Sequence, residues 1–295
     1  MKELVVISGK GGTGKTSVTG AFASMAENAV LADTDVDAAN LHLLLSPQII
    51  KTNSFSGGKQ AYIDPELCNH CGRCKKICRF DAISDSFVVD PLACEGCGVC
   101  VWNCPVQAIQ FNARKNGEWY ISKTRFGPMV HAKLGIAEEN SGKLVTLVRQ
   151  QAKKLAEEQR FDLLIVDGPP GIGCPVIASI GGASFLLVVT EPTLSAIHDM
   201  QRVIGVANHF DVPVGVCINK FDLENELTEQ IKDYCKNHSI PVLGTIPFDP
   251  AVVEAQVNAR TIMEQGNPAV SGEFMSLWKS VLSEMNRWQR KERSE

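Results

Sequence analysis

Short, nearly continuous apolar runs recur along the chain: "ELVVIS", "AVLAD" ending at Asp33, "FDLLIVDGPPG", "SFLLVVT", "VPVGVCIN" and "PVLGTIP". Runs of this length without polar alternation predict strands buried on both faces. Between most of them, apolar residues recur at helical spacing. "SVTGAFASMAE" reads as a helix, as do Leu144–Gln159, Ser195–His209 and Glu224–His238. Strands alternating with helices predict an α/β fold, a mostly parallel sheet covered by helices.

The rhythm breaks between Asn53 and Asn112. "NSFSGGK" is rich in turn residues, and no helix-length apolar periodicity follows. "GEWYIS" reads as one arm of a hairpin leading back to the main domain. The expected organisation is a discontinuous domain, residues 1–57 and 113–295, with residues 58–112 inserted between its second and third core strands. Near the C-terminus Phe274, Leu277, Trp278, Val281, Leu282, Met285 and Trp288 share a helical stripe, followed by "RKERSE". A final helix packed on the sheet is the expectation, and a membrane-surface helix is the alternative. "EENSGKL" precedes a helix and offers Ser141 as its N-cap.

The 295 residues suffice for one large domain and a small one. Net charge is −4, which argues against broad binding to nucleic acid. There are 11 cysteines, and eight of them fall in two runs. The first residues lead straight into a strand, without a signal peptide, and no apolar stretch reaches the roughly 20 residues of a membrane span. The cysteines therefore read as reduced thiolates in the cytoplasm.

"GKGGTGKT", Gly9 to Thr16, fits G-x4-G-K-[ST] between a strand and a helix. Gly9, Gly11, Gly12, Thr13 and Gly14 would wrap backbone N–H groups around phosphates, with Ser17 just beyond. Lys15 would neutralise the β- and γ-phosphates, and Thr16 would offer its hydroxyl to Mg²⁺. The extra lysine, Lys10, makes the motif resemble the deviant Walker A of the MinD/ParA/Mrp ATPases, which include the nitrogenase iron protein. That resemblance implies a Mg²⁺·ATP-dependent homodimer, or a heterodimer with a paralogue, in which Lys10 acts on the partner's nucleotide. It implies that Asp167, ending "LLIVD", holds Mg²⁺ and that Gly171 lies near the γ-phosphate. It also implies that Asp35, in "DTDVD", positions the attacking water, with Lys10, Lys15 and Asp35 as the catalytic set. Asp37 is alternatively a cap for a helix starting near Ala38. Asn219 in "INKFD" would read adenine, and Pro247 in "IPFDPAV" would flank the base. The same letters match the guanine-reading N-K-x-D, so GTP stays open.

"CNHCGRCKKICRFDAI" and "CEGCGVCVWNCPVQAI" share C-x2-C-G-x-C-x3-C-x3-A-I, repeated from Cys68 to Cys94. C-x2-C-x2-C-x3-C is the bacterial ferredoxin run, whose fourth cysteine serves the other cluster. The resemblance implies an inserted ferredoxin-type α+β domain with two [4Fe–4S] clusters. One would take Cys68, Cys71, Cys74 and Cys104, the other Cys94, Cys97, Cys100 and Cys78. Zinc is the competing occupant, since paired C-x2-C also binds it. Arg79 stands where the second run has Pro105. Proline supplies no ligand, so the change tunes a site without abolishing it.

Cys174 lies seven residues after Asp167, the offset of a cluster ligand in the nitrogenase iron protein. It is a possible additional ligand or else a buried structural thiol. Cys217 and Cys235 read as core residues. Together these features predict an ATPase that couples its nucleotide state to iron–sulfur chemistry. Its partner would receive electrons or an assembled metallocluster. The alternatives are a cluster carrier or scaffold, or a MinD-like positioning ATPase with the clusters as redox sensors. Neither nucleic-acid binding nor membrane attachment is expected.

Overall fold

In the computed structural model, which describes residues 1–135 and 141–292, the apolar runs become strands of one sheet. The chain opens with β1 (Lys2–Ser8), α1 (Lys15–Met25) and β2 (Ala29–Asp33). Then come α2 (Leu41–Leu45), β3 (Gln48–Phe55), β4 (Gly58–Ile63), α3 (Arg73–Ile77), α4 (Val99–Trp102) and β5 (Ile109–Arg114). β6 (Gly117–Thr124) and β7 (Gly127–Leu134) lead to α5 (Ser141–Gln159), β8 (Leu163–Pro170), α6 (Cys174–Ile180) and β9 (Phe185–Thr190). The last third contains α7 (Leu194–His209), β10 (Val214–Asn219), α8 (Asn225–Asn237), β11 (Val242–Ile246), α9 (Pro250–Val257), α10 (Ile262–Gln265) and α11 (Pro268–Glu292).

The sheet runs β11-β10-β9-β1-β8-β2-β7-β6-β3. The pairings from β11 through to β7 are parallel. β1 lies between β8 and β9, which explains its unbroken apolar run: Leu4 to Ile7 have no exposed surface. Helices cover the sheet, as expected for buried parallel strands. Phe22 of α1 meets Trp278 of α11 with ring centroids 4.7 Å apart. Phe274, Leu277, Val281 and Met285 are buried in the same core. The C-terminal helix therefore spends its apolar stripe on the fold, which removes the face that a membrane-surface helix needs. No helix among the described residues is long and apolar enough to cross a membrane.

The described chain forms two compact units. The first comprises Met1–Thr52, Trp119–Lys133 and Ser141–Glu295, and the second Asn53–Glu118 and Leu134–Asn140. "NSFSGGK" is not a long turn. Asn53 to Phe55 finish β3 and Gly58 begins β4. Asn116 Oδ1 accepts the N–H groups of Gly57 at 2.8 Å and Gly58 at 3.1 Å, so a side chain replaces the ladder at this corner. β3 escaped the apolar pattern because it is the edge strand, largely exposed up to Phe55. Together with β6 and β7 it extends the sheet outward beyond β2, although in sequence all three fall between β2 and β8. No helix starts near Ala38. α2 begins at Leu41, whose N–H is accepted by Asp33 Oδ2 at 3.2 Å. The side chain of Ser141 lies outside the described residues.

The second unit repeats itself. β4 and β5 pair antiparallel, matching Ile63 with Ile109, and an isolated bridge joins Ile83 to Val89. Asp64 N–H donates to Ala108 O, and Asp90 N–H donates to Ala82 O, both at 2.8 Å. Each half thus begins against the end of the other. α3 and α4 are each preceded by a left-handed glycine, Gly72 at φ 73° and Gly98 at φ 75°. The glycines allow the abrupt turn from an extended cysteine loop into a helix.

Candidate functional site

The parallel register builds the first site. It places Asp33 at the end of β2 beside Asp167 of β8, while β1 runs alongside β8 and opens into the glycine loop. Ligands of open α/β sheets bind at such carboxyl ends. A cleft of about 450 Å³ lies there, lined by Gly11, Gly12, Gly14, Asp35, Asn219 and Pro247 among others. Lys15, Thr16 and Ser17 line it as well. Gly12 at φ 84° and Gly14 at φ 91° adopt backbone that favours glycine. Gly9 is needed for another reason: a Cβ there would stand 2.5 Å from the Asp199 backbone of α7.

Lys15 is buried with its Nζ 3.1 Å from Asp167 Oδ1 and 3.3 Å from Asp35 Oδ2. Burial alone would lower its pKa, but Asp167, Asp35 and Asp33 together outweigh burial and raise it. Burial raises the pKa of Asp35, and Lys15 offsets this only in part. Asp33 is pushed well above the usual carboxylate range by burial and by Asp167. Asp167 Oδ2 accepts from Thr16 Oγ1 at 2.9 Å and Oδ1 from Thr19 Oγ1 at 2.8 Å. A hydroxyl and a carboxylate side by side, in a pocket where carboxylates outnumber the ammonium, are a donor set suited to Mg²⁺.

Some sequence-assigned residues behave differently. The Lys10 side chain is 44 % exposed, 3.3 Å from Ser195 Oγ and 3.9 Å from Glu191 Oε1. Gly171, at φ 91°, donates its N–H to Ser8 O at 3.0 Å, and Pro170 rather than Gly171 lines the cleft. Thr13 is buried, and its Oγ1 has no partner among the described residues. Asn219 Nδ2 donates to Thr13 O at 2.8 Å, so its amide braces the phosphate loop. Lys220 Nζ adds a bond to Gly12 O at 3.1 Å and one to Glu191 Oε2 at 2.9 Å. Asp222 Oδ1 accepts the Phe248 N–H at 2.7 Å, fixing the turn beside Pro247. Sequence reasoning missed Gln256, which donates to Ser17 Oγ at 2.6 Å from α9, and Arg125. Arg125 donates to Leu44 O at 3.0 Å and Ala259 O at 3.1 Å, and pairs with Glu264. It ties α2 to the chain that follows α9. Nothing local in sequence marks either residue.

The second site lies in the second unit. Its eight repeat cysteines are free thiols and line two small spaces. One is lined by Cys68, Cys71, Cys74 and Cys104, the other by Cys78, Cys94, Cys97 and Cys100. Cys71 and Cys97 are the exposed members of each quartet. No group of three or more metal-ligating side chains among the described residues converges tightly enough for a single ion. Cys174 begins α6 and is exposed, so it is not the buried structural thiol allowed for above. Cys217 and Cys235 are fully buried, and burial pushes their thiols up to about 12 and about 11.

Known proteins fall in line with the first site. An uncharacterized protein of Methanocaldococcus jannaschii is 33 % identical over 95 % of this chain and 96 % of its own length. The septum site-determining protein MinD of Bacillus subtilis is 24 % identical, covering 95 % of this chain and 89 % of its own. The structure of MinD complexed with Mg-ADP from Pyrococcus horikoshii superposes with a TM-score of 0.58 at 18 % identity, covering 95 % of each chain, a likeness of fold. The family description "CobQ/CobB/MinD/ParA nucleotide binding domain" matches residues 4–262. On that match the chain, with its P-loop cleft at the carboxyl ends of a parallel sheet, belongs to the CobQ/CobB/MinD/ParA nucleotide-binding family.

Proposed function

We propose that this protein is a dimeric Mg²⁺·ATP-dependent ATPase coupling its nucleotide state to two [4Fe–4S] clusters held by an inserted ferredoxin-type unit. The coupled work would be electron transfer to a partner protein or metallocluster assembly on one, in the cytoplasm. One observation carries this reading. The eight repeat cysteines sort into two crossed quartets in the same chain as a P-loop cleft. The doubled C-x2-C-x2-C-x3-C spacing, with four cysteines packed in each run, suits a polynuclear cluster better than two tetrahedral zinc sites. When bound, such clusters supply one-electron redox capacity.

In the cleft, the loop N–H groups and Lys15 would bind the phosphates, while Thr16 and Asp167 would hold Mg²⁺. Asp35, whose carboxylate accepts from Lys15 Nζ at 3.3 Å, would orient a water near the terminal phosphate. Lys10 is not among the residues lining the cleft and its side chain is 44 % exposed, which supports a role across a dimer interface. Asn219 and Pro247 would flank the base. ATP is preferred to GTP on the resemblance of the two-lysine phosphate loop, Lys10 and Lys15, to the deviant Walker A of ATPases. Exposed Cys174 is available as a ligand shared between two copies.

The test is anaerobic purification with iron and sulfide analysis, followed by cluster reduction with and without Mg²⁺·ATP. We expect about eight irons per chain, from two four-iron clusters, and a reduction rate or potential that changes with nucleotide. Stoichiometric zinc, or reduction indifferent to ATP, sinks the reading. The positioning-ATPase alternative predicts recruitment to a membrane or to DNA; the buried stripe of α11 speaks against the first and the net charge of −4 against the second.

A further inference from the structure

The repeat in the second unit allows its halves to be compared position by position. Around the buried Cys74, α3 and the turn after it carry Arg73, Lys75, Lys76 and Arg79, all exposed. The equivalent positions in the other half are Val99, Val101, Trp102 and Pro105. There the surface is apolar, with Trp102 77 % and Val106 41 % exposed. From Cys68 to Phe80 there is no acidic residue, and from Cys94 to Val106 there is no Lys or Arg. Lys75 pairs with Asp85, while Arg73, Lys76 and Arg79 make no ion pair among the described residues.

The backbone does not require this difference. Both halves use the same left-handed glycine, the same Asp-backbone turn and the same cysteine spacing. Three unpaired cations on one short helix and the turn that follows it, in a chain of net charge −4, form a local positive patch. Such a patch steers and orients an oppositely charged partner without requiring a large apolar interface. Its place matters as well. α3 carries Cys74 of one quartet and leads directly to Cys78 of the other, and the exposed Cys71 adjoins it.

We infer that the exposed surface of α3 and the turn after it, with Arg73, Lys76 and Arg79, is the docking surface for an acidic one-electron carrier protein. The inference rests on the iron–sulfur reading above. The reduced carrier gives one electron to the oxidised cluster, and no bond is made or broken and no proton moves. Arg79 then serves recognition, not the geometry of the cysteine loop. The apolar Trp102 face is left for a different contact.

The experiment uses the iron-loaded full chain with a small acidic [2Fe–2S] ferredoxin as probe. Affinity is measured by calorimetry between the oxidised proteins, and the reduction rate by stopped flow, each across ionic strength. The double variant Lys76→Glu/Arg79→Glu is expected to weaken binding about tenfold or more at low salt and to flatten the salt dependence. Trp102→Ala and Lys236→Glu on α8 should stay within about twofold, as surface changes away from the patch. If the double variant loses iron, Lys76→Gln/Arg79→Gln at matched iron content should give the same ranking with a smaller effect. Binding unchanged in the charge variants, or lost with Trp102→Ala instead, overturns the inference. So does a patch that takes up DNA or anionic vesicles but not the ferredoxin. Failure of the wild type to load iron is a separate outcome, because it removes the functional reading itself.

Discussion

Lys15 and Cys74 are both buried groups of the kind that do chemistry, yet their surroundings differ. Lys15 sits between Asp35 and Asp167, and two threonine hydroxyls complete the second carboxylate. The chain itself supplies every charge that this buried ammonium needs. Cys74 is surrounded by its own kind. Burial raises its pKa, and Cys68 and Cys71 raise it further, with no cation of the chain in the quartet. Cys100 is raised in the same way by burial, Cys94 and Cys97. The cores differ in the same sense. The nucleotide unit has a large apolar core of strand and helix side chains, whereas the cysteine unit buries Ala61, Ile63, Cys74, Ile83 and Ile109 and little else. Small units with so little core need a staple such as a metal. The nucleotide site is charge-complete as a polypeptide, and on the proposed reading the cysteine unit would be completed by its clusters.

Removing the proposed clusters should separate the two regions most strongly. Iron chelation is expected to abolish amide protection across residues 53–118 while nucleotide binding persists, because metal binding there is folding free energy. Hydrogen exchange with mass spectrometry reads this directly, and protection kept after chelation would break the comparison. The reverse experiment is Lys15→Ala. ATP turnover should fall by at least about 100-fold while iron content stays at the wild-type value. Coupled loss of iron would mean that the units do not fold independently.

A smaller effect comes from pH. His131 is buried against Ser122, Tyr120 and His42, and its pKa is pushed down to about 4 by burial and then by His42. The unfolded chain takes up the proton near 6.5, so this contribution is fully present above 6.5 and is lost as pH falls toward 4. Urea titrations should show the nucleotide unit losing about 3 kcal/mol over that window. His131→Asn should flatten the slope, and an unchanged slope would assign it elsewhere. The mildest test is Asn219→Ala. Losing one hydrogen bond to the phosphate loop should weaken nucleotide binding by roughly 1 kcal/mol, about fivefold by equilibrium titration. A far larger loss would mean that Asn219 chiefly holds the base.

Much of this was legible in the linear chain because the relevant chemistry is local. The glycine loop, its lysines and the eight cysteines are short-range motifs, and buried parallel strands announce themselves as apolar runs. β3 was not legible, because an exposed edge strand carries no such pattern. Arg125, Gln256 and the bracing role of Asn219 depend on partners tens to hundreds of residues away. Cys174 was ambiguous for the same reason, since exposure is decided by what packs over a helix end.

The sequence by itself determined the phosphate loop, the alternation of strand and helix, and the cysteine spacing with its repeat. These follow from backbone geometry over a few residues and from burial on both faces of a strand. Only the tertiary structure decided that Asp33 and Asp167 lie side by side, because that is a matter of parallel register. It also brought the cysteines together in the crossed sets that the ferredoxin resemblance implied, because each half of the repeat closes against the end of the other. And it buried the C-terminal stripe, because an apolar helix face takes whichever apolar surface lies within reach, and here that surface was the sheet's own core.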